Sequence, residues 1–282
     1  MPTTQTALLG LDNLLDTIVQ YPAAVLSPSS EAVGREALHV ADYRRERSWW
    51  SPTAAAANTF VAVDLGAGNT ANVDFLWLDR SHNLASKTVH VEYADTLGGA
   101  WTQIFSGVVP AVGAAVGGDP SAGLILTEEG SCYVLFAPAG AAHRCWRVLV
   151  VDNMLPNITG AIIGTRTQLA GYSNIYDDDE GDRKFRSEES DAGYVATGRI
   201  YAWRLAHLDL STIGAPQYDG QMRQIRRFMF EQGAPAFLCE NWGTYSARTG
   251  LFRHDGPKWS FPTKGVYRAG VIPLREVGAV VL

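Results

Sequence analysis

The first segment that could do chemistry is a glycine-containing stretch that follows an apolar, strand-like run. Gly66–Ala71 formally matches the G-x-G-x-x-A fingerprint of dinucleotide-binding loops. In such loops a helix follows directly, and its N-terminal N–H groups hold the pyrophosphate. Here the next residues, 72–78, alternate polar and apolar side chains at their start and are rich in strand-forming types. We therefore predict a hairpin turn at Gly66–Ala71 and no nucleotide site.

A second candidate is the acidic run Tyr176–Asp182, whose carboxylates would suit a hard cation such as Ca²⁺. Its spacing differs from that of an EF-hand, because Gly181 stands where the third carboxylate is needed. The basic residues Arg183 and Arg186 follow at once and could relieve the repulsion between the carboxylates. These features favour a solvated loop, or one that pairs with a neighbouring subunit through the two arginines, over a metal site.

The remaining reactive residue types are not spaced for catalysis or for zinc. The six histidines include no H-x-x-x-H pair, the three cysteines include no C-x-x-C pair, and no G-x-S-x-G motif occurs. Carboxylate pairs for sugar hydrolysis meet in space rather than in sequence, and none stands out. The net charge of −6 argues against generic binding to phosphate backbones. We expect no enzyme activity, no cofactor, no metal, no nucleic-acid partner, and small buried thiols.

Among the eight tryptophans are the strongest candidates for ligand contact. An exposed indole can stack on a sugar ring, which makes Trp49, Trp50 and Trp101 candidate glycan contacts. His82 and Asn83 would be their polar neighbours. The alternative is that Trp49 and Trp50 close the bottom of a barrel as core residues. Aromatic side chains also anchor subunit interfaces, and a loop that contains Trp259 and Phe261 could form such a contact arm.

Short strands must position these residues, since helical periodicity is scarce. Only Leu8–Val19 and Tyr218–Gln232 have an amphipathic helical pattern, and in the second Met222, Ile225, Phe228 and Met229 fall on one face. Elsewhere, short runs of β-branched and aromatic residues alternate with turn formers, which is typical of antiparallel sandwiches and barrels. The predicted strands are Thr59–Leu65, Ala71–Asp79, Thr88–Tyr93, Trp101–Phe105, Cys132–Ala137, Cys145–Val151, Ile158–Thr165, Gly198–Leu208, Ala236–Glu240, Gly250–His254 and Tyr267–Val277.

The order of these segments predicts two β-rich domains in series. We expect an N-terminal arm over residues 1–26, a β-sandwich over 27–167 and a second β-rich domain over 168–282, with one short helix. The seam falls near Thr165–Gly171, and the polar stretch Ser173–Gly193 is predicted to be a loop or a partly ordered excursion. The first residues have no basic segment before their apolar run, so we expect neither a signal peptide nor a membrane anchor.

Several motifs in the first domain, read together, resemble the discoidin or galactose-binding-like family. They are Ser29-Ser30, the D-L-G sequence at Asp64–Gly66, Trp101–Ile104 and the R-C-W-R sequence at Arg144–Arg147. The resemblance implies an antiparallel β-sandwich of the jelly-roll type. It also implies an alternative function for the chain, that of a carbohydrate-binding module that adsorbs to host-surface glycans.

The second half of the chain resembles tail and baseplate proteins of tailed bacteriophages. The segments concerned are Ile162–Gly164 followed by Tyr172–Asn174, then Arg186–Tyr194, and an R-x-Y-x-W-x-L strand at Arg199–Leu205. The resemblance implies a viral tail protein, a structural component of the baseplate or tail tip. Such a protein is made in the host bacterial cytoplasm and resides in the virion. Its partners would be copies of itself and neighbouring tail proteins, with no membrane contact.

Overall fold

The computed structural model describes residues 6–42, 47–52, 59–170, 173–175, 184–189, 195–201, 205–209, 223–241, 243, 245–254 and 271–276. These residues form antiparallel sheets and one short helix, besides a single turn of 3₁₀ helix at Ala37–Ala41, which confirms the predicted mainly β fold. The strands are β1 Thr6–Gly10, β2 Val25–Pro28, β3 Trp49–Trp50, β4 Thr59–Asp64, β5 Phe75–Leu78, β6 Thr88–Ala94, β7 Thr102–Val108, β8 Ile125–Leu126, β9 Cys132–Leu135, β10 Cys145–Val150, β11 Asn157–Ile158, β12 Ala161–Gly164, β13 Arg166–Ala170, β14 Ser173–Ile175, β15 Lys184–Glu189, β16 Val195–Tyr201, β17 Leu205–Asp209, β18 Ala236–Asn241, β19 Tyr245–His254 and β20 Val271–Glu276.

Two sheets form the predicted sandwich. The five-stranded sheet has the order β2-β4-β10-β6-β7, and the four-stranded sheet has the order β12-β5-β9-β8. Alternate residues of each strand point to one face, so Trp146, Val148 and Val150 of β10 enter the core between the sheets. Leu76 and Leu78 of β5 meet them from the opposite sheet. Every second side chain along these strands thus packs into the core between the two sheets.

The N-terminal residues belong to a third, seven-stranded sheet with the order β13-β1-β18-β19-β20-β17-β14. β1 lies between β13 and β18, and Leu8 is the partner of both Gln168 and Cys239. The predicted helix at Leu8–Val19 is therefore wrong. Consecutive apolar residues occur there because both faces of β1 are buried, with Leu8 on one side and Leu9 on the other.

The division at residues 26 and 167 stays a prediction, and two of the sheets cross it. β1, within the expected arm, pairs with strands that follow residue 165, and β2 begins at Val25 inside the sandwich. Residues 12–14 also run along the edge of the four-stranded sheet, where the Leu14 N–H donates to the Ile163 carbonyl at 2.9 Å. The arm thus joins the two units by backbone hydrogen bonds.

The second β-rich part carries the one short helix, at 223–231, whose residues Arg226–Glu231 have π-helical geometry. This helix lies within the predicted Tyr218–Gln232. Its buried side chains, Ile225, Phe228 and Met229, pack on Leu9 and neighbouring apolar residues of the seven-stranded sheet. The predicted apolar face is confirmed for these three residues, and Met222 lies outside the described part of the chain.

Three local predictions need correction. Gly66–Ala71 forms a turn, with positive φ at Gly66 (86°) and Gly68 (82°), and the strand β5 follows it instead of a helix. It is not a hairpin turn, because β4 and β5 belong to different sheets. The polar stretch predicted as a loop contains β14 and β15, because β17 and β16 pair with them. The strand predicted at Gly198–Leu208 is two strands, β16 and β17.

Candidate functional site

The structure makes Trp49 a core residue rather than a ligand contact. Its side chain is 0% exposed, and the indole N–H donates to the Ser30 carbonyl at 2.9 Å. A ring that is enclosed on both faces cannot stack on a sugar, so the glycan-contact prediction fails for Trp49. The alternative, that it closes one end of the sandwich, fits this burial.

His82 and Asn83 hold a loop together. The Asn83 amide nitrogen donates to the Leu155 carbonyl at 2.9 Å, and its carbonyl oxygen accepts from the Asn157 N–H at 2.8 Å. His82 Nδ1 accepts from the Leu84 N–H, and burial lowers the pKa of this histidine. The side chains of His82 and Asn83 thus already form hydrogen bonds within the protein, and fewer of their polar atoms are left to bind a ligand.

The two remaining tryptophans lie at opposite ends of the sandwich. Trp50, which is 40% exposed, pairs with Asn157 beyond the last residue of β10. Trp101 directly precedes β7, whose first residue pairs with β6 beside the first residue of β10. The length of β10 separates the backbone at these ends by about 17 Å at ~3.3 Å per residue. The structure thus encloses Trp49 and holds the backbones of Trp50 and Trp101 apart, and a glycan contact by Trp50 or Trp101 stays a prediction.

Trp101 lies against a charged pair on the outer face of the five-stranded sheet, the face turned away from the sandwich core. The guanidinium carbon of Arg147 is 4.3 Å from the centre of the Trp101 ring and 5.0 Å from that of Phe60. Arg147 Nε donates to Glu92 Oε2 at 2.6 Å. Trp101 and Phe60 are both half-buried. We call Phe60, Glu92, Trp101 and Arg147 the tryptophan–arginine cluster.

Strand register assembles this cluster from distant parts of the chain. Arg147 of β10 is the partner of Glu92 in β6, and Gln103 of β7 is the partner of Glu92 on its other side. Partners in a ladder share a face, so the exposed Gln103 joins the outer face beside the cluster. His90, two residues before Glu92 on the same face, places Nδ1 3.4 Å from Glu92 Oε1.

A second ion pair lies on the same face, near the first residue of β10. Arg144 donates from two nitrogens to the two carboxylate oxygens of Asp64, at 2.6 and 2.7 Å. The Gly66 N–H also donates to Asp64 Oδ1. These hydrogen bonds, that of Arg144 first, lower the pKa of Asp64. Asp64 stays ionised and fixed in position, which is the behaviour of a structural or recognition group.

Trp101 is recognisable in the sequence by its residue type, but its partners are not. Arg144 and Arg147 stand out there as family markers, not as site residues. The available signal is the alternation along β6 and β10, since Glu92 and Arg147 are polar residues flanked by apolar ones. When polar residues occupy the same alternate positions in two paired strands, their side chains lie side by side on one face of the sheet.

The cysteines and the acidic residues offer no alternative chemistry in the described part of the chain. Cys132, Cys145 and Cys239 are buried and form no disulfide, which fits the expected small core thiols, and burial raises the pKa of Cys145 to about 11. A thiol with so high a pKa is a poor nucleophile. No group of three or more His, Cys, Asp or Glu side chains is placed to hold a metal among the described residues. Across the same described residues, no helical segment has the length and hydrophobicity of a membrane span.

The predicted interface and calcium residues fall largely outside this part of the chain. Arg183, Trp259 and Phe261 are outside the described residues, as is the acidic run 176–182. Arg186 lies on β15 and is the partner of Gly198 in β16. The interface role of these residues stays a prediction.

Comparisons with known proteins give structural likenesses only. No family model matches the sequence, and no curated protein matches it. A GH29 fucosidase from Ruminococcus gnavus in complex with fucose is 16% identical over 55% of this chain, with a TM-score of 0.39, and this chain spans 27% of the fucosidase.

Two smaller solved structures are similar over nearly their whole length. Chitosan-binding module 1 of a chitosanase/glucanase from Paenibacillus sp. IK-5 is 15% identical, with 55% of this chain and 99% of the module aligned and a TM-score of 0.37. The family 32 CBM from C. perfringens NanJ in complex with galactose is 12% identical, with 53% and 97% aligned and a TM-score of 0.37. The structural neighbours thus include carbohydrate-binding modules.

Proposed function

We propose that this chain binds carbohydrate through the tryptophan–arginine cluster on the outer face of the five-stranded sheet. One observation carries the proposal: a half-buried indole is held on one face by a guanidinium that is itself fixed by a carboxylate. This arrangement orients the Trp101 ring before any ligand arrives. A preorganised ring loses little side-chain entropy on binding, so more of the contact energy appears as affinity.

The chemistry of the face suits a polyhydroxylated ligand. The face of Trp101 that is turned away from Arg147 can pack on the C–H groups of a pyranose ring. Gln103 and His90, on the same face of the sheet, can donate to and accept from hydroxyl groups. Ligand sites commonly combine aromatic packing with a few fixed polar groups in this way.

We propose that the interaction is binding without turnover. Both carboxylates of the face are tied to guanidinium groups, Glu92 to Arg147 and Asp64 to Arg144. A glycosidase needs one carboxyl group with a raised pKa to protonate the leaving oxygen. The pKa of Asp64 is lowered instead, which opposes that role.

The experiment is a glycan array followed by calorimetric titration of the intact chain. Galactose, fucose and chitotriose are the first probes, since similar solved structures are complexes with them. The test variant is Trp101→Ala, and Trp50→Ala is the matched control, because it removes an exposed tryptophan at the other end of the sandwich. We expect Trp101→Ala to weaken binding at least tenfold, and Trp50→Ala to leave the affinity unchanged.

Two outcomes would contradict the proposal. A blank array for the folded wild-type chain excludes a glycan ligand of the classes displayed. Loss of binding in Trp50→Ala with retention in Trp101→Ala would move the site to the opposite end. Thermal unfolding serves as the folding check, since truncating the half-buried Trp101 should cost well below the ~3–5 kcal/mol of a fully buried tryptophan.

A structural role in a phage tail is the second candidate, with a location in the virion. Besides the resemblance described for the second half, one observation favours it: the sandwich and the seven-stranded sheet share a buried apolar seam, with Leu8, Phe75 and Phe237 in one cluster. Such a seam makes the two units one stiff body, as a part that transmits force requires. The measurement is native mass at high concentration with cross-linking in phage lysates. A monomer that captures no tail protein would contradict this candidate.

A further inference from the structure

A cavity of about 290 Å³ lies where the N-terminal arm, β13 and the short helix meet, and no residue of the tryptophan–arginine cluster lines it. The wall is mostly polar, with two apolar side chains, Leu11 and Phe228. The lining residues are Leu11, Asp12, Tyr21, Thr165, Thr167, Arg223, Gln224, Arg227 and Phe228.

One side of the cavity carries a carboxyl group whose hydrogen bonds are already made. Tyr21 donates its hydroxyl to Asp12 Oδ1, and Thr165 donates to Asp12 Oδ2 at 3.4 Å. The backbone there is fixed by the close approach of Gly164, where an added Cβ would lie 1.9 Å from the Asp12 carbonyl oxygen. Burial raises the pKa of Asp12, so its negative charge is disfavoured in this place.

The short helix contributes two arginines and an amide to the lining, and the positive charge of Arg227 acts to lower the pKa of Asp12 against the larger effect of burial. Arg223 and Arg227 lie four residues apart on the helix, and among the described residues neither forms an ion pair. Their neighbour Arg226 is instead paired with Glu231, at 2.9 Å. Gln224 accepts from the Thr167 hydroxyl at 2.7 Å through its carbonyl oxygen, which leaves the amide N–H₂ as the remaining donor.

We propose that this cavity binds a small molecule that carries a carboxylate or phosphate group, held by Arg223 and Arg227. Two guanidinium groups outweigh one carboxyl group, and planar guanidinium forks match the oxygens of both anions. The Gln224 amide N–H₂ supplies a further donor, while the Thr167 hydroxyl holds the Gln224 side chain in place. Leu11 and Phe228 provide the apolar surface on which the carbon skeleton of the ligand packs. The site shares no residue with the tryptophan–arginine cluster and stands independently of it.

Calorimetric titration of the intact chain with three probes tests the proposal and separates the two anion types. The probes are inorganic phosphate, glucuronate and glucose, where glucose is the neutral counterpart of glucuronate. We expect at least one anion to bind and glucose to leave no signal at this site. Binding of phosphate alone assigns a phosphate ligand, and binding of glucuronate alone assigns a carboxylate ligand.

Charge-neutralising variants connect any binding to the cavity. Arg223→Gln and Arg227→Gln should each weaken anion binding at least tenfold. Arg226→Gln is the matched control, since it removes the same charge from the same helix outside the cavity, and it should change the affinity less than twofold. Circular dichroism confirms folding, which these exposed positions should tolerate.

Two results would overturn the proposal. The first is that neither anion binds the folded wild-type chain. The second is that Arg226→Gln weakens binding as much as Arg223→Gln and Arg227→Gln, which would mean a diffuse charge effect. The Trp101→Ala variant keeps this test separate from the proposed glycan site, because it should retain full anion binding. A variant that loses both activities would show that the two sites are not independent.

Discussion

The two sheets of the sandwich are opposite in character. The four-stranded sheet is buried on both faces: every residue of β5, β9 and β12 is buried. The five-stranded sheet packs one face on the sandwich core, and its other face carries the charged and aromatic side chains of the tryptophan–arginine cluster. The difference separates two tasks. Stability is concentrated at the four-stranded sheet, while the outer face of the five-stranded sheet leaves polar and aromatic side chains available to a ligand.

Aromatic side chains cover the face of the four-stranded sheet that is turned away from the sandwich core. Phe75, Trp77 and Tyr133 leave the sandwich on the side away from its core and meet Phe237 of the seven-stranded sheet. The ring centres of Phe75 and Phe237 are 4.9 Å apart, and those of Tyr133 and Phe237 are 5.0 Å apart. Tilted aromatic pairs at such distances add stability beyond the apolar area they bury.

The largest expected effect comes from removing the centre of these aromatic contacts. Phe237→Ala leaves a cavity among three aromatic rings, and we expect it to lower the free energy of unfolding by about 3–5 kcal/mol. The matched control is Phe60→Ala in β4, whose half-buried ring lies on the outer face of the five-stranded sheet, 5.0 Å from the Arg147 guanidinium carbon, and which should cost less. Denaturant titration measures both. Equal losses in the two variants would contradict the contrast drawn between the sheets.

A second variant tests whether the N-terminal arm must approach the four-stranded sheet closely. An added Cβ at Gly164 would lie 1.9 Å from the Asp12 carbonyl oxygen, so Gly164→Ala forces the arm away from the edge of β12. We expect a loss of about 1–3 kcal/mol, the range of overpacked sites. Gly140→Ala, where nothing lies within 4 Å of the added Cβ, should change the unfolding free energy by less than ~0.5 kcal/mol.

If Gly164→Ala kept the wild-type free energy of unfolding, the contact between the arm and β12 would contribute nothing to stability. The hydrogen bonds of Asn13 would then be unimportant as well. Its side chain donates to the Ala161 carbonyl at 3.1 Å and accepts from the Ile163 N–H at 3.3 Å. The same denaturant series, with Asn13→Ala added, distinguishes a tightly held arm from a loosely held one.

Alternation along the chain predicted three strands of the five-stranded sheet closely, whereas β2 was not predicted and β7 continues three residues beyond the predicted Phe105. β4, β6 and β10 begin at the predicted residues, Thr59, Thr88 and Cys145, and end within one residue of the prediction. In these strands one face meets the sandwich core and the other does not, so the period of two is clear. Strands with one open face therefore show both their existence and their orientation in the sequence.

The prediction failed where both faces of a strand are buried. β1 reads T-A-L-L-G, and its consecutive apolar residues, followed by Leu11, Leu14 and Leu15, also fit a helical stripe. Periodicity alone does not separate these two cases. What decides is tertiary: Gln20 accepts from the Asn13 N–H and donates to the Leu11 carbonyl, which closes the following residues into a loop.

The sequence identified one residue of the candidate site by its type, but it did not show which side chains that residue contacts. Trp101 stands out in the sequence, but Arg147 and Glu92 are 55 residues apart and meet only through the register of β6 and β10. The cavity near Asp12 was beyond reach for the same reason. Its residues come from the arm, β13 and the helix, and the arm was predicted as a helix.

The smallest expected effect contrasts a buried carboxyl group of the arm with the paired one of the outer face. Burial raises the pKa of Asp16 above its ordinary value of 3.8, although the Val19 N–H donates to its Oδ1 at 2.9 Å. The folded state therefore holds this proton more tightly than the unfolded state. Its ionisation lowers stability as the pH rises above about 4. Asp16→Asn should raise the free energy of unfolding at pH 7 by less than about 1 kcal/mol, and the gain should vanish in acid.

Asp64 should show the opposite sign, because its hydrogen bonds with Arg144 lower its pKa. The unfolded state then binds the proton more tightly, so the contribution of Asp64 is present at neutral pH and is lost as the pH falls through its lowered pKa. Asp64→Asn should consequently destabilise the chain at pH 7 and become neutral in strong acid. Unfolding curves of both variants from pH 3 to pH 7 measure the two slopes against the wild type. If stability changed with pH in the same direction for both variants, Asp16 of the arm and Asp64 of the outer face would be in similar environments. That result would contradict the contrast between the buried arm and the accessible outer face.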